Sequence, residues 1–127
     1  MDQEPLILEQ TEDTPEVRLD PQAGVFCVRG RSLPENSYQF YKDVISWMEQ
    51  FLASGSKDKV SFLINLDYFN SSSGRYLLEL FSILEKSSKN GTDVEIIWEV
   101  DSEDELMLEK GEEYRELLSV PVKIQEI

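Results

Sequence analysis

The chain has no histidine, a single cysteine, and only 12 basic residues against 26 acidic ones. Without histidine the Ser-His-Asp and Cys-His nucleophile pairs cannot form, and the usual general base and the commonest metal ligand are missing. Because Cys27 is the only cysteine, no intramolecular disulfide can form, and its apolar neighbours predict a thiol near the core. These absences argue against an enzyme and favour a reducing compartment.

Membrane-spanning and secretion signals are also missing. The sequence has no run of about 18 apolar residues, which a membrane helix requires, and its N-terminus lacks the basic and apolar segments of a signal peptide. We therefore expect a cytoplasmic protein with no membrane partner. The net charge of −14 repels phosphate backbones, so we expect no nucleic acid partner either. Neither G-x-G-x-x-G nor G-x-x-x-x-G-K-[ST] occurs, and we expect no cofactor.

Carboxylates are the only plentiful ionisable groups, and five residues at 101–105 include four of them. This cluster lacks the ligand spacing of a calcium loop and stands where a helix begins, a position at which acidic side chains favour the helix dipole. We interpret it as a solvated helix start and expect no metal site. A Mg²⁺-dependent hydrolase built on these carboxylates is the least favoured hypothesis.

Hydrophobic periodicity divides the chain into alternating strands and helices. Its length suits one domain over 1–127 with a real core, since 40% of the residues are hydrophobic. Residues 1–15 are interpreted as a loose arm or an edge strand. Strands are predicted at 16–19 and 24–29, joined by a turn, at 60–66, at 94–100 and, as an edge strand, at 120–124. Helices are predicted from Asn36 to about 55, from the serine run to about 90, and over 102–118.

The resulting order β-β-α-β-α-β-α-β predicts an α/β fold, a mixed β-sheet packed by three helices. The mostly apolar segment 60–66 is expected to be a central strand covered on both faces. Trp47 and Trp98 are expected in the core or at its rim. Gly111 is expected to be a weak point of the third helix, because glycine is a poor helix former.

A run of three serines stands between the buried strand and the second helix. We call residues 68–74, with the sequence YFNSSSG, the serine motif. Asparagine or serine here is what a helix N-cap needs, and such a cap is worth about 1 kcal/mol. A hydroxyl at a helix N-terminus is also suited to phosphorylation, because free N–H groups and the positive end of the dipole stabilise the added dianion. Both roles stay open for neighbouring serines.

Three segments carry a resemblance to a known family. They are Thr14-Pro15 before the predicted hairpin, residues 30–37 (GRSLPENS) ahead of the first helix, and residues 68–73 (YFNSSS) ahead of the second, with a tryptophan-bearing strand following. Together they resemble the SiaC family of bacterial regulatory phosphoproteins over nearly the whole chain. The resemblance implies a fold like the STAS domain of anti-sigma factor antagonists, in which a phosphorylatable serine or threonine opens the helix after a central strand.

The resemblance also implies a mechanism. In the family, a threonine after the motif asparagine is phosphorylated by a dedicated serine/threonine kinase and dephosphorylated by a PPM-type phosphatase. Ser71 takes that position here, Ser72 is the alternative acceptor, and the partner contacts implied are Tyr68, Asn70, Ser72 and Ser73. The unphosphorylated protein is expected to bind a diguanylate cyclase and promote cyclic-di-GMP synthesis, and phosphorylation is expected to prevent this.

A second regulatory hypothesis changes the target. By analogy with STAS-domain antagonists, the unmodified chain would capture an anti-sigma kinase and free a sigma factor. The neighbouring genes distinguish the two hypotheses, because a cyclase gene and a phosphatase gene beside this one favour the first.

Overall fold

The computed structural model describes residues 3–55 and 58–127. The strands are β1 (Leu6–Leu8), β2 (Glu16–Asp20), β3 (Val25–Ser32), β4 (Val60–Phe69), β5 (Val94–Val100) and β6 (Val122–Glu126), and the helices are α1 (Ser37–Ala53), α2 (Ser71–Lys89) and α3 (Glu105–Leu117). The predicted α/β class is confirmed, with one short strand ahead of the predicted hairpin. Within the described ranges, no helix combines the length and hydropathy that a membrane crossing demands.

All six strands form one sheet in the order β1-β2-β3-β4-β5-β6. The first two pairings are antiparallel and the last three are parallel. Each parallel connection advances one strand in the same direction, so right-handed crossovers place all three helices on the same face. Burial in β4 accordingly alternates residue by residue from Val60 to Leu66. The expectation that this strand is covered on both faces is therefore wrong.

The core lies between this one face of the sheet and the three helices. Its largest fully buried side chains include Trp98, Tyr41, Phe62 and Phe81. Helix α2 contributes Leu77, Leu80 and Leu84, whose spacing of three and four residues keeps them on one side of the helix. The periodicity of the sequence runs through Leu77, Leu78, Leu80, Phe81 and Leu84, and of these Leu78 is exposed.

Helix α3 packs on strand β5 where Gly111 contacts the indole ring of Trp98. The indole Nε1–H donates to the carbonyl oxygen of Met107 at 2.8 Å. A Cβ at Gly111 would stand 2.5 Å from Cδ1 of Trp98, much closer than two carbon atoms can approach without displacement. Glycine therefore lowers the intrinsic propensity of this helix, as expected, but the packing of the indole requires it.

The first described residues are attached to the rest of the protein. Trp47 Nε1–H donates to the carbonyl oxygen of Glu4 at 2.7 Å, and the side-chain amide of Gln3 donates to the carbonyl of Trp47 at 3.0 Å. Strand β1 then pairs with β2 along its three residues. Of the two alternatives for this segment, an edge strand describes residues 6–8, while residues 1 and 2 lie outside the described part of the chain.

Candidate functional site

An irregularity in the sheet precedes the serine motif. The pairing of β3 with β4 passes from Gly30 opposite Leu66 to Arg31 opposite Tyr68, which leaves Asp67 as one extra residue in β4. An extra residue in one strand is a β-bulge, and it reverses the side to which the following side chains point. The motif therefore starts on a strand whose alternation has just changed.

The reversal gives the last two residues of β4 different environments. The ring of Phe69 contacts Trp98 edge-on, with centroids 6.3 Å apart, on the core side of the sheet. Tyr68 is 47% exposed, and the guanidinium carbon of Arg31 lies 6.0 Å from its ring centroid. The motif thus has one aromatic side chain in solvent, Tyr68, and one packed on the core, Phe69.

Asn70 is the N-cap of α2. Its backbone is extended, with φ −85° and ψ 172°, and its Oδ1 accepts a hydrogen bond from the N–H of Ser73 at 2.8 Å. The first turn, residues 71–74, has the sequence SSSG and so contains no acidic residue, in a chain with 26 of them. The positive end of the helix dipole is therefore not neutralised by a side chain of its own first turn.

The three serines of the motif are not equivalent. Ser71 and Ser72 are exposed, whereas Ser73 has no exposed surface. The hydroxyl of Ser73 donates to the carbonyl oxygen of Ser32 at 2.9 Å and accepts a hydrogen bond from the Ser32 hydroxyl at 2.8 Å. An enzyme can reach the first two hydroxyls directly, but it can reach the third only after both hydrogen bonds to Ser32 are broken.

A buried tyrosine extends this hydrogen-bonded group into α1. The hydroxyl of Tyr41 is hydrogen-bonded to that of Ser32, and its ring stacks on Tyr76 at an interplanar angle of 11°. Burial raises the pKa of the Tyr41 phenol, although hydrogen bonds to Ser32 and Ser73 act in the opposite direction. The phenol is therefore neutral at physiological pH.

The sequence did not reveal Ser32 and Tyr41 as parts of the site. Ser32 stands inside the GRSLPENS segment, 41 residues before Ser73, and no local pattern connects the two. The available signal is topological. Parallel neighbouring strands end at the same edge of a sheet, so the residues ending β3 and those following β4 must meet.

Exposed aromatic and basic side chains lie in the first two turns of α1 and α2. Tyr38 is 60% exposed and its ring centroid lies 6.4 Å from that of Tyr76. Arg75 is exposed and follows Ser71 by four residues, the spacing at which side chains on a helix are neighbours. Arg75 is therefore a cation next to Ser71 on the helix surface, of the kind that pairs with phosphate groups.

Comparison with known proteins identifies the family. The family model for the SiaC family regulatory phosphoproteins matches residues 8–127. The chain belongs to the SiaC family. An uncharacterized protein of Pseudomonas aeruginosa strain UCBPP-PA14 is 37% identical over 115 residues, which cover 91% of this chain and 90% of that protein. The resemblance carried by the three sequence segments is thereby confirmed.

Solved SiaC structures share the whole architecture. The crystal structure of apo-SiaC from Pseudomonas aeruginosa aligns with a TM-score of 0.89 at 34% identity, covering 97% of this chain and 99% of that one. SiaC of the same species also appears in a crystal structure of the diguanylate cyclase SiaD in complex with its activator SiaC. That SiaC aligns with a TM-score of 0.90 at 35% identity, covering 96% of this chain and 99% of the other.

Proposed function

We propose that this SiaC-family chain is a non-catalytic cytoplasmic regulator, a single domain over 1–127, that binds and activates a diguanylate cyclase while its serine motif is unphosphorylated. One observation carries the proposal: the likeness, over 96% of the chain, to a SiaC that is the activator of SiaD. The chain also belongs to a family of regulatory phosphoproteins. In this proposal the chain catalyses no reaction itself, and the enzymatic activity that it raises is that of the diguanylate cyclase.

Ser71 is the proposed phosphorylation site, with Ser72 as the alternative. Its hydroxyl is exposed at a helix N-terminus whose first turn contains no acid, and Arg75 is one helical turn away. A serine/threonine kinase would add roughly −1.5 to −2 charges there at pH 7, and a PPM-type phosphatase would remove them. The modification changes the charge at the proposed point of contact.

The proposed docking surface consists of the exposed side chains of the motif. Tyr68 and Ser72 face solvent and are the direct contacts. Asn70 and Ser73 support the surface from beneath, since the amide oxygen of Asn70 caps the helix and Ser73 is buried. A partner that packs its own surface on these neutral hydroxyls must desolvate them, which is far costlier once one carries a dianion.

The proposal is tested by measuring cyclic-di-GMP formation from GTP. The assay uses the diguanylate cyclase of the source organism that is most similar to SiaD, with and without the phosphate-free chain. We expect a several-fold higher rate with the chain present, and no product from the chain alone. Tyr68→Ala should weaken the activation. Leu106→Ala truncates an exposed side chain on α3, outside the motif, and should leave the activation unchanged.

Two outcomes would count against the proposal. An unchanged cyclase rate at a saturating concentration of the phosphate-free chain would contradict activation. Binding to an anti-sigma kinase, with release of its sigma factor and no effect on the cyclase, would favour the alternative target instead.

A further inference from the structure

Three hydroxyls and one carbonyl form a continuous chain of hydrogen bonds beneath the serine motif. The three hydroxyls belong to Tyr41, Ser32 and Ser73, and none of these residues has exposed surface. The carbonyl is that of Ser32 itself. We call this arrangement the hydroxyl chain. It connects α1, the end of β3 and the first turn of α2.

The hydrogens of the hydroxyl chain can be assigned by counting donors, because each hydroxyl has one hydrogen to donate. Ser73 donates to the carbonyl oxygen of Ser32, and the Ser32 hydroxyl donates to Ser73. The hydrogen bond between Tyr41 and Ser32 must then use the hydrogen of Tyr41. Every hydroxyl hydrogen is used once. The bonds run from Tyr41 in α1 through the Ser32 hydroxyl to Ser73 in α2, and the last one returns from Ser73 to the carbonyl of Ser32 at the end of β3.

The hydroxyl chain fixes the first turn of α2 at two points. The carbonyl oxygen of Ser32 accepts from the hydroxyl of Ser73 and also from the backbone N–H of Asn70 at 3.1 Å. Successive side chains on an α-helix point about 100° apart, because a turn contains 3.6 residues. Holding Ser73 inward therefore sets the directions of Ser71 and Ser72, which both face solvent.

Packing alone does not explain this group. Apolar side chains of similar size would fill the same space, and replacing both partners of a buried hydrogen bond by apolar groups is often nearly neutral. What hydroxyls add is direction, since a linked series of buried hydrogen bonds tolerates little change in geometry. A fixed orientation matters for the neighbouring serine proposed as the phosphate acceptor, Ser71.

We propose that Tyr41, Ser32 and Ser73 are positioning residues that hold the first turn of α2 in the rotation that presents Ser71 and Ser72 to the modifying kinase and withholds Ser73. The inference rests on the proposed phosphorylation of the motif. It adds two residues outside the motif, and it explains how three consecutive serines present two hydroxyls and withhold the third.

Hydrogen exchange on the purified protein tests whether the hydroxyl chain holds the first turn of α2 in place. Tyr41→Phe keeps the stacked ring and removes only the oxygen that starts the hydroxyl chain. We expect the hydrogen-bonded amides of Asn70, Ser73 and Gly74 to exchange about five- to tenfold faster, a typical effect of one lost buried hydrogen bond on local opening. Tyr114→Phe, the same change at a half-buried ring on α3, outside the hydroxyl chain and the serine motif, is the matched control. Equal protection in both variants would overturn the positioning role.

Mapping the phosphate on variants expressed from the native locus in the source organism tests whether the hydroxyl chain determines which serine is phosphorylated. We expect Tyr41→Phe to lower the occupancy of Ser71 several-fold or to place phosphate on Ser73, while Tyr114→Phe resembles the wild type. Phosphate at the same residue and occupancy in all three proteins would overturn the positioning role alone. A wild-type protein without phosphate under every condition would overturn the proposed phosphorylation itself.

Discussion

Phosphoserine installed at position 71 is expected to weaken the binding of the chain to its cyclase by about 10- to 100-fold. The added dianion stands beside exposed tyrosines and hydroxyls that a partner must desolvate to make contact, and the chain already carries −14 charges. Isothermal titration with homogeneous phosphoserine protein measures the effect. Ser71→Asp should show a smaller loss, because a carboxylate carries one charge and fewer acceptor oxygens.

A protein with phosphoserine at position 82 distinguishes an effect of charge at the serine motif from an effect of the net charge of the chain. Ser82 is exposed on the same helix, eleven residues beyond Ser71, and phosphoserine there adds the same charge to the chain. We expect it to weaken binding by less than about threefold, since exposed charges more than about 10 Å apart are largely screened at ordinary ionic strength. Equal losses at both positions would mean that net charge, and not the motif, controls binding.

Gly111→Ala is expected to lower the free energy of unfolding by roughly 1–3 kcal/mol. The substitution gains roughly 1 kcal/mol of helix propensity, but its Cβ would stand 2.5 Å from the fully buried indole of Trp98. Overpacking a core typically costs about 1–3 kcal/mol, and displacing this ring also stretches the hydrogen bond from its Nε1 to the carbonyl of Met107. Urea unfolding followed by circular dichroism measures the change.

The matched control for this prediction is Glu112→Ala, the next residue along α3, which is exposed. It should change the free energy of unfolding by no more than about 0.5 kcal/mol, as surface substitutions usually do. A Gly111→Ala protein as stable as this control would show that the helix can move away from Trp98 without cost.

Local patterns predicted most of the fold because its elements have strong local signals. The spacing of Leu77, Leu80 and Leu84 marks the buried side of α2, and Asn36 and Asn70 are helix N-caps whose side-chain oxygens each accept a backbone hydrogen bond. Strand β4, however, extends three residues beyond its predicted end at Leu66. A bulge depends on the neighbouring strand as well as on the sequence itself, so the change of register at Asp67 could not be predicted locally.

The candidate site was predicted only in part for a similar reason. The motif and its place before α2 followed from the sequence, but nothing in three identical residues tells which ones face inward. That difference arises from Ser32 at the end of a neighbouring strand. The helices lie on a single face because of the strand order, a property of the whole chain that the apolar segment 60–66 cannot show alone.

We propose that the serine motif is a phosphorylation switch with Ser71 as the acceptor. Its most direct test is intact-mass and fragment mass spectrometry of the protein purified from its own organism under several growth conditions. We expect a fraction of the molecules to have one added phosphate, located on Ser71 and absent from Ser73. Phosphate on Ser73, or none under any condition, would contradict it.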